Sequence, residues 1–171
     1  MTKSPMVVQF AGYSNSGKTT LLTQVIRYLS DQGLRVAVIK HDGGHDVQID
    51  QEGKDTWRFH QAGSPLVAIQ SKMQTAWFDY SPISLAEIIE RMAAGQPDLI
   101  LIEGFKREAY PKLVLIRTEE DRELMDKLEN PMAIVSWLSV DHPTLPVFSI
   151  NDHVSICQFL YKRFQEIRSQ N

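Results

Sequence analysis

The 171-residue sequence carries a formal net charge of −3, with 43% hydrophobic and 23% charged residues. This length favours one domain with its own core, and the slightly acidic balance disfavours a nucleic-acid-binding protein, which usually has a basic surplus. The apolar runs are too short to span a bilayer, no secretory signal follows Met1, and Cys157 is the single cysteine. We therefore expect a cytoplasmic protein without nucleic-acid or membrane partners.

Predicted strands and helices alternate along the chain. We predict strands over residues 6–11, 34–39, 66–69, 75–80, 98–102, 113–116, 133–137 and 147–150. We predict helices over residues 17–32, 54–61, 84–94, 119–128 and 152–167. This alternation predicts a single α/β domain over residues 1–171, with a mainly parallel sheet flanked by helices. The gap between 66–69 and 75–80 is too short for a helical crossover, so these two strands are predicted to form an extra β-hairpin.

The segment between the first strand and the first helix reads GYSNSGKT and matches the P-loop motif G-x-x-x-x-G-K-[ST]. The motif requires a strand before it and a helix after it, and both are predicted here. The fold is therefore expected to be of the P-loop NTPase type. The predicted nucleotide-binding residues are Gly12, Tyr13, Ser14, Asn15, Ser16, Gly17, Lys18, Thr19 and Thr20.

Each part of the motif has a chemical role. Gly12 and Gly17 are expected to adopt backbone torsions that a side chain would resist, so that the loop amides can surround phosphate oxygens. The Lys18 side chain is predicted to reach and bind the β- and γ-phosphates, and the Thr19 hydroxyl is predicted to bind Mg²⁺. Thr20 is predicted to contact the α-phosphate. The motif therefore predicts a nucleoside triphosphate and Mg²⁺ as ligands.

Two carboxylates are candidates for catalysis beside the P-loop. Glu103 ends the most apolar predicted strand, which we expect to be central, and ligands bind at the carboxyl ends of strands in this fold class. It is predicted to bind or orient the metal together with Thr19. Asp42 follows the second strand and is predicted to orient either the attacking water or a second Mg²⁺-bound water. His41 and His45 flank this segment, so a zinc site there, a loop that closes over the triphosphate, and a plain surface loop all stay open.

Longer stretches of the sequence resemble the MobB family of GTP-binding accessory proteins in molybdopterin-guanine dinucleotide synthesis. Four features match in order over roughly residues 6–117: the P-loop, Ile39-Lys-His41, Gly53-Lys-Asp-Thr-Trp-Arg58 with Ala62-Gly63, and Asp98-Leu-Ile-Leu-Ile-Glu-Gly-Phe-Lys106. The P-loop alone is shared by many unrelated proteins. The third and fourth of these features, Gly53–Arg58 and the Ile-Glu-Gly-Phe-Lys stretch that ends at Lys106, are far more specific.

The resemblance implies a homodimer that binds GTP with Mg²⁺ and hydrolyses it slowly. Such a protein would assist the molybdopterin guanylyltransferase that joins GMP to molybdopterin, and it could present nucleotide or the molybdopterin cofactor. The resemblance also implies a site at the dimer or cofactor face that includes Lys54, Asp55 and Arg58. The N-K-x-D motif that reads guanine in ordinary GTPases is absent, and Asn151-Asp152 is a poor substitute. The preference for GTP over ATP therefore follows from the resemblance alone.

Two other functions remain compatible with a P-loop. A small-molecule kinase would need an acceptor pocket and usually an arginine-rich lid, and the arginines after residue 121 fall in helical patterns. A GTPase metallochaperone would use His41, His45 and Asp46 for its metal. The predicted hairpin also carries Trp77, and an exposed aromatic strand is usually covered by a partner. The hairpin near residues 66–80 is therefore our predicted dimer contact.

Overall fold

The computed structural model describes residues 4–42 and 49–170. The strands are β1 Met6–Ala11, β2 Val36–Lys40, β3 Leu66–Gln70, β4 Thr75–Asp79, β5 Leu99–Glu103, β6 Lys112–Ile116, β7 Pro131–Ser136 and β8 Val147–Ser149. The helices are α1 Lys18–Asp31, α2 Asp55–Gln61, α3 Leu85–Ala93, α4 Leu124–Lys127 and α5 His153–Ser169. A 3₁₀ turn, Glu120–Glu123, directly precedes α4.

Six strands form one parallel sheet in the order β2-β5-β1-β6-β7-β8. The carboxyl ends of parallel strands meet at one edge, where this fold class binds its ligands. Phe10 of β1 pairs with Glu103 of β5. The end of β1 that leads into the P-loop therefore lies beside the predicted carboxylate. The predicted α/β fold with a mainly parallel sheet is confirmed.

The sheet is covered by helices on both faces. Successive residues of β5 alternate between two apolar clusters: Leu99 and Leu101 pack with α1 and α5, whereas Ile100 and Ile102 pack with α3. This is why β5 reads as an unbroken apolar run. The strand lies inside the sheet between β1 and β2, one position from the edge. Cys157 is buried in the first cluster, and its burial raises the pKa of the thiol to about 11.

The predicted hairpin forms a separate two-stranded antiparallel sheet. Strands β3 and β4 pair from Leu66 with Asp79 to Gln70 with Thr75. The base of the hairpin is fixed to α2 because the ring of His60 stacks on that of Tyr80, with 3.6 Å between the ring centres. The carboxylate of Asp50 accepts hydrogen bonds from the hydroxyls of Tyr80 and Thr56. The hairpin and α2 therefore form one unit beside the main sheet.

The structure corrects one helix prediction. The charged segment predicted as a helix over residues 119–128 is a 3₁₀ turn followed by the short α4. The reason is local: the carboxylate of Asp121 accepts the backbone N–H groups of Arg117 at 2.8 Å and Thr118 at 3.1 Å. These bonds tighten the start of the segment. Within the described residues, no helix combines the length and apolar character that a membrane span requires.

Candidate nucleotide-binding site

The P-loop connects the buried end of β1 to the first turn of α1. Gly17 has φ +93° and Asn15 has φ +61°, both in the left-handed region that disfavours most side chains. Gly12 differs from our expectation, because space and not backbone torsion requires glycine there. A Cβ atom at Gly12 would lie 2.7 Å from Ser16 Oγ and 3.1 Å from Leu115 Cβ.

Lys18 lies inside the curve of the loop. Its Nζ atom donates to the carbonyl oxygens of Tyr13 at 2.6 Å and Gly12 at 3.2 Å. Burial lowers the pKa of this lysine, and the nearby carboxylate of Glu103 opposes the shift. Helix α1 begins at Lys18 with no side-chain cap and no acidic residue in its first turn. The free N–H groups of this turn favour an anion at the same place as the lysine.

Thr19 and Glu103 form the contact that joins the P-loop to β5. The hydroxyl of Thr19 donates to Glu103 Oε1 at 2.8 Å. Lys40, at the end of β2, lies 3.6 Å from the same oxygen. The Glu103 side chain is only 9% exposed, so a buried carboxylate and a hydroxyl meet at the mouth of the phosphate loop. The structure thus brings together the two residues that were predicted to bind the metal.

The turn after Glu103 has an unusual backbone. Gly104 has φ +96° and Phe105 has φ +50°, which is strained for an aromatic residue. The buried Gln9 stabilises the turn: its Nε2 atom donates to the carbonyl oxygens of Gly104 at 2.6 Å and Phe105 at 2.5 Å. The ring of His41 stacks on Phe105 with 4.3 Å between centres. A Cβ at position 104 would lie 2.9 Å from that of His41, so glycine is required there.

Two side chains support the P-loop from the side of β6 and β7. The indole N–H of Trp137 donates to the carbonyl oxygen of Ser16 at 3.0 Å. The guanidinium of Arg117 donates to the carbonyl oxygen of Asn15 and lies 5.6 Å from the Trp137 ring centre. Sequence reasoning missed both residues and also Gln9. The available signal for Gln9 was a polar residue inside an apolar strand, and the signal for Trp137 was an aromatic residue at the carboxyl end of a strand.

These residues surround one pocket of about 1080 Å³ at the carboxyl edge of the sheet. The residues that line it are Gly12, Ser14, Asn15, Gly17, Lys18, Thr19, Thr20, Lys40, His41, Asp42, Glu103, Gly104, Phe105, Lys106, Arg107 and Glu108. Asp42 is exposed at its rim. Ser16 is buried behind the loop, and Tyr13 turns outward so that its hydroxyl donates to Glu123. Seven of the nine predicted nucleotide-binding residues therefore line the pocket together with Glu103 and Asp42, whereas Tyr13 and Ser16 do not.

Other predicted residues lie outside this pocket. Lys54, Asp55 and Arg58 are exposed at the start of α2, where Arg58 Nη1 lies 3.9 Å from Asp55 Oδ1. Their position beside the hairpin is compatible with a second binding face, and their role stays a prediction. Asp152 uses its carboxylate to cap α5, accepting from the Ser155 N–H at 3.1 Å. His45 and Asp46 lie outside the described residues, so the predicted metal roles of that segment also stay predictions.

Comparison with known proteins identifies relatives along most of the chain. Residues 7–137 match the MobB family, molybdopterin guanine dinucleotide synthesis protein B. The molybdopterin-guanine dinucleotide biosynthesis adapter protein of Haemophilus influenzae is 40% identical over 140 residues, which are 80% of this chain and 78% of that protein. The probable adapter protein of the same biosynthesis in Bacillus subtilis is 35% identical over 154 residues, 88% of each chain.

Solved structures agree with these sequence matches. The crystal structure of Bacillus subtilis MobB superposes with a TM-score of 0.78 at 33% identity, covering 91% of this chain and 96% of that one. A MobB homologue from Bacillus stearothermophilus has a TM-score of 0.74 at 28% identity over 94% and 98% of the two chains. HypB from Helicobacter pylori, at 16% identity and a TM-score of 0.56, shares the fold alone. On this evidence, the chain belongs to the MobB family.

Proposed function

We propose that this chain is a Mg²⁺-dependent GTP-binding adapter with slow GTPase activity, which assists the attachment of GMP to molybdopterin. The observation that carries the proposal is the hydrogen bond between Thr19 and Glu103, 2.8 Å long, at the mouth of an intact P-loop. It places the two expected metal-binding side chains together. Membership of the MobB family supplies the biosynthetic context.

The described side chains fit a triphosphate with its metal. Thr19 and Glu103 offer a hydroxyl and a carboxylate oxygen, the ligand types that Mg²⁺ prefers, and these two residues would hold the ion. When bound, Mg²⁺ neutralises charge on the β- and γ-phosphates. Lys18 and the N-terminus of α1 add positive charge around the phosphates. Asp42, exposed at the pocket rim, is the residue we propose to orient the attacking water.

The proposed role as an adapter requires surfaces as well as a nucleotide site. Two relatives bear the name adapter protein, and an adapter needs a partner enzyme, for which we propose the molybdopterin guanylyltransferase. Leu66 and Trp77 are 61% and 80% exposed on the hairpin. We propose that a second copy of the chain covers them, so that the working unit is a homodimer. The face of α2 that carries Lys54, Asp55 and Arg58 would then contact the partner or the molybdopterin cofactor.

A reconstituted assay tests the proposed function. Purified guanylyltransferase, molybdopterin and GTP with Mg²⁺ are incubated with the wild-type chain or with Lys18→Ala, and the dinucleotide product is measured. We expect the wild type to raise the rate of product formation and Lys18→Ala to lose that effect. Lys162→Ala, an exposed substitution on α5, is the matched control and should behave as wild type. Equal stimulation by the wild type and Lys18→Ala would contradict the proposal.

A further inference from the structure

Lys106 is a cation beside the phosphate loop, and its ammonium group lies over an aromatic ring. Its Nζ atom lies 4.1 Å from the centre of the Tyr13 ring, and Tyr13 is the second residue of the P-loop. Among residues 4–42 and 49–170, Lys106 forms no ion pair with a carboxylate. Partial burial lowers its pKa. The Asp121 carboxylate also attracts Lys106, from beyond ion-pair distance. A cation that rests on an aromatic face without a direct carboxylate contact gives up that face readily when an anion offers a charge-assisted hydrogen bond.

The backbone turn that precedes Lys106 is held in place by contacts from Gln9 and His41. Gln9 bonds to the carbonyl oxygens of the two preceding residues, Gly104 and Phe105, and both of these residues have left-handed torsions. His41 stacks on Phe105 and so fixes the same turn from the end of β2. Strained backbone that its surroundings hold in place is concentrated at ligand sites. The turn therefore places Lys106 at the pocket wall by means of buried contacts, unlike an ordinary solvated loop.

Lys106 and Lys18 both contact Tyr13, the second residue of the P-loop. Lys18 Nζ donates to the Tyr13 carbonyl oxygen at 2.6 Å, while Lys106 lies over the Tyr13 ring. Lys106 is also three residues beyond Glu103, the residue that would hold the metal between the last two phosphates. Lys106, Lys18 and Glu103 therefore line the same pocket, in which the terminal phosphate of a triphosphate would lie beside the metal. That phosphate is present in a triphosphate and absent from a diphosphate.

We propose that Lys106 leaves the Tyr13 ring and binds the terminal phosphate, so that the site selects nucleoside triphosphate over diphosphate. This inference rests on the proposed function. It makes the turn at residues 104–106 the part of the site that distinguishes GTP from GDP, and loss of the terminal phosphate on hydrolysis would return Lys106 to Tyr13.

Calorimetric titration with GTP, GDP and a non-hydrolysable GTP analogue, all with Mg²⁺, tests the inference on the full chain. One charge-assisted hydrogen bond to phosphate predicts that Lys106→Ala weakens GTP and analogue binding by about tenfold, while GDP binding changes by less than about twofold on the same scale. Lys106→Arg should recover most of the GTP affinity because it keeps the charge. Lys162→Ala on α5 is the control and should match the wild type for every ligand.

The outcomes separate this inference from the proposed function. If Lys106→Ala binds GTP as tightly as wild type, or loses GTP and GDP affinity equally, the role of Lys106 is wrong while nucleotide binding stands. If the wild-type chain binds neither nucleotide, the proposed function fails and this inference fails with it. Thermal unfolding of each variant checks that a loss of affinity does not come from a loss of fold.

Discussion

At the residue scale, the phosphate site depends on a few contacts between the P-loop and the ends of the neighbouring strands. Glu103 makes three of these contacts: its carboxylate accepts from Thr19 and attracts Lys40, and its backbone carbonyl accepts from the His41 N–H at 2.8 Å. Substitution of its side chain therefore alters the two carboxylate contacts and retains the backbone contact.

We expect Glu103→Gln to keep nucleotide binding in the absence of metal and to lose most Mg²⁺-dependent turnover. Glutamine can still accept from Thr19, but it removes the negative charge that would face Mg²⁺, so turnover should fall about tenfold or more. Phosphate release measured over a Mg²⁺ series checks this, with Glu90→Gln, an exposed substitution on α3, as the control. Turnover equal to wild type would transfer the acidic role from Glu103 to another residue such as Asp42.

Trp137 provides a second test because its indole N–H supports the P-loop through Ser16. Trp137→Phe removes this bond but keeps an aromatic ring beside Gly17, so nucleotide affinity should fall by roughly fivefold, which corresponds to about 1 kcal/mol for a neutral hydrogen bond. Calorimetry of the variant against Trp57→Phe, which alters a tryptophan of α2, measures the effect. If both variants bind as wild type does, the Trp137 bond does not stabilise the nucleotide-binding form of the loop.

The sequence predicted the site residues that act through a motif and missed those that act through packing. Lys18, Thr19 and Glu103 could be found because motif spacing and strand position specify them. Gln9, Arg117 and Trp137 belong to no motif, and their partners could not be predicted because the contacts join residues more than 90 positions apart. Only the order of strands in the sheet brings such residues together.

At the scale of elements, the hairpin is the feature that departs most from alternating strands and helices. Its prediction was confirmed because the gap of a few residues between β3 and β4 allows only an antiparallel pair. Four large apolar side chains of the hairpin and its turn are exposed: Leu66, Ile69, Met73 and Trp77. Leu66 and Trp77 lie on the same face, since Trp77 pairs with Ala68 and side chains alternate along a strand.

We expect Trp77→Gln to weaken self-association of the chain. The substitution removes a side chain that is 80% exposed, and burial of such an aromatic surface would be a main source of dimer stability. Sedimentation velocity over a concentration series should show the wild type as a dimer and the variant shifted toward monomer by at least about tenfold in dissociation constant. Val154→Gln, which alters an exposed apolar residue of α5, serves as the control.

A monomeric wild type at every concentration would remove the dimer from the proposal. A dimer that Trp77→Gln leaves intact would instead place the interface elsewhere on the chain.

At the scale of the whole molecule, an acidic chain concentrates positive charge at one edge of its sheet. The net charge is −3, yet the pocket is lined by four cationic side chains, Lys18, Lys40, Lys106 and Arg107, which outnumber its three carboxylates, Asp42, Glu103 and Glu108. Parallel pairing causes this concentration, because it places the carboxyl ends of β1, β2 and β5 together. The fold class could be predicted from the alternation of elements, but the order of the strands could not. The sequence has no N-K-x-D motif that would read guanine, and in the nearest substitute, Asn151-Asp152, the Asp152 carboxylate caps α5.

The most direct test of the proposed GTP binding is a calorimetric titration of the purified chain with GTP and with ATP, both with Mg²⁺, beside the same titrations of Lys18→Ala. We expect GTP to bind more tightly than ATP and Lys18→Ala to lose measurable binding, because the lysine supplies charge at the β- and γ-phosphates. Tighter binding of ATP, or unchanged GTP affinity in Lys18→Ala, would contradict the proposed function.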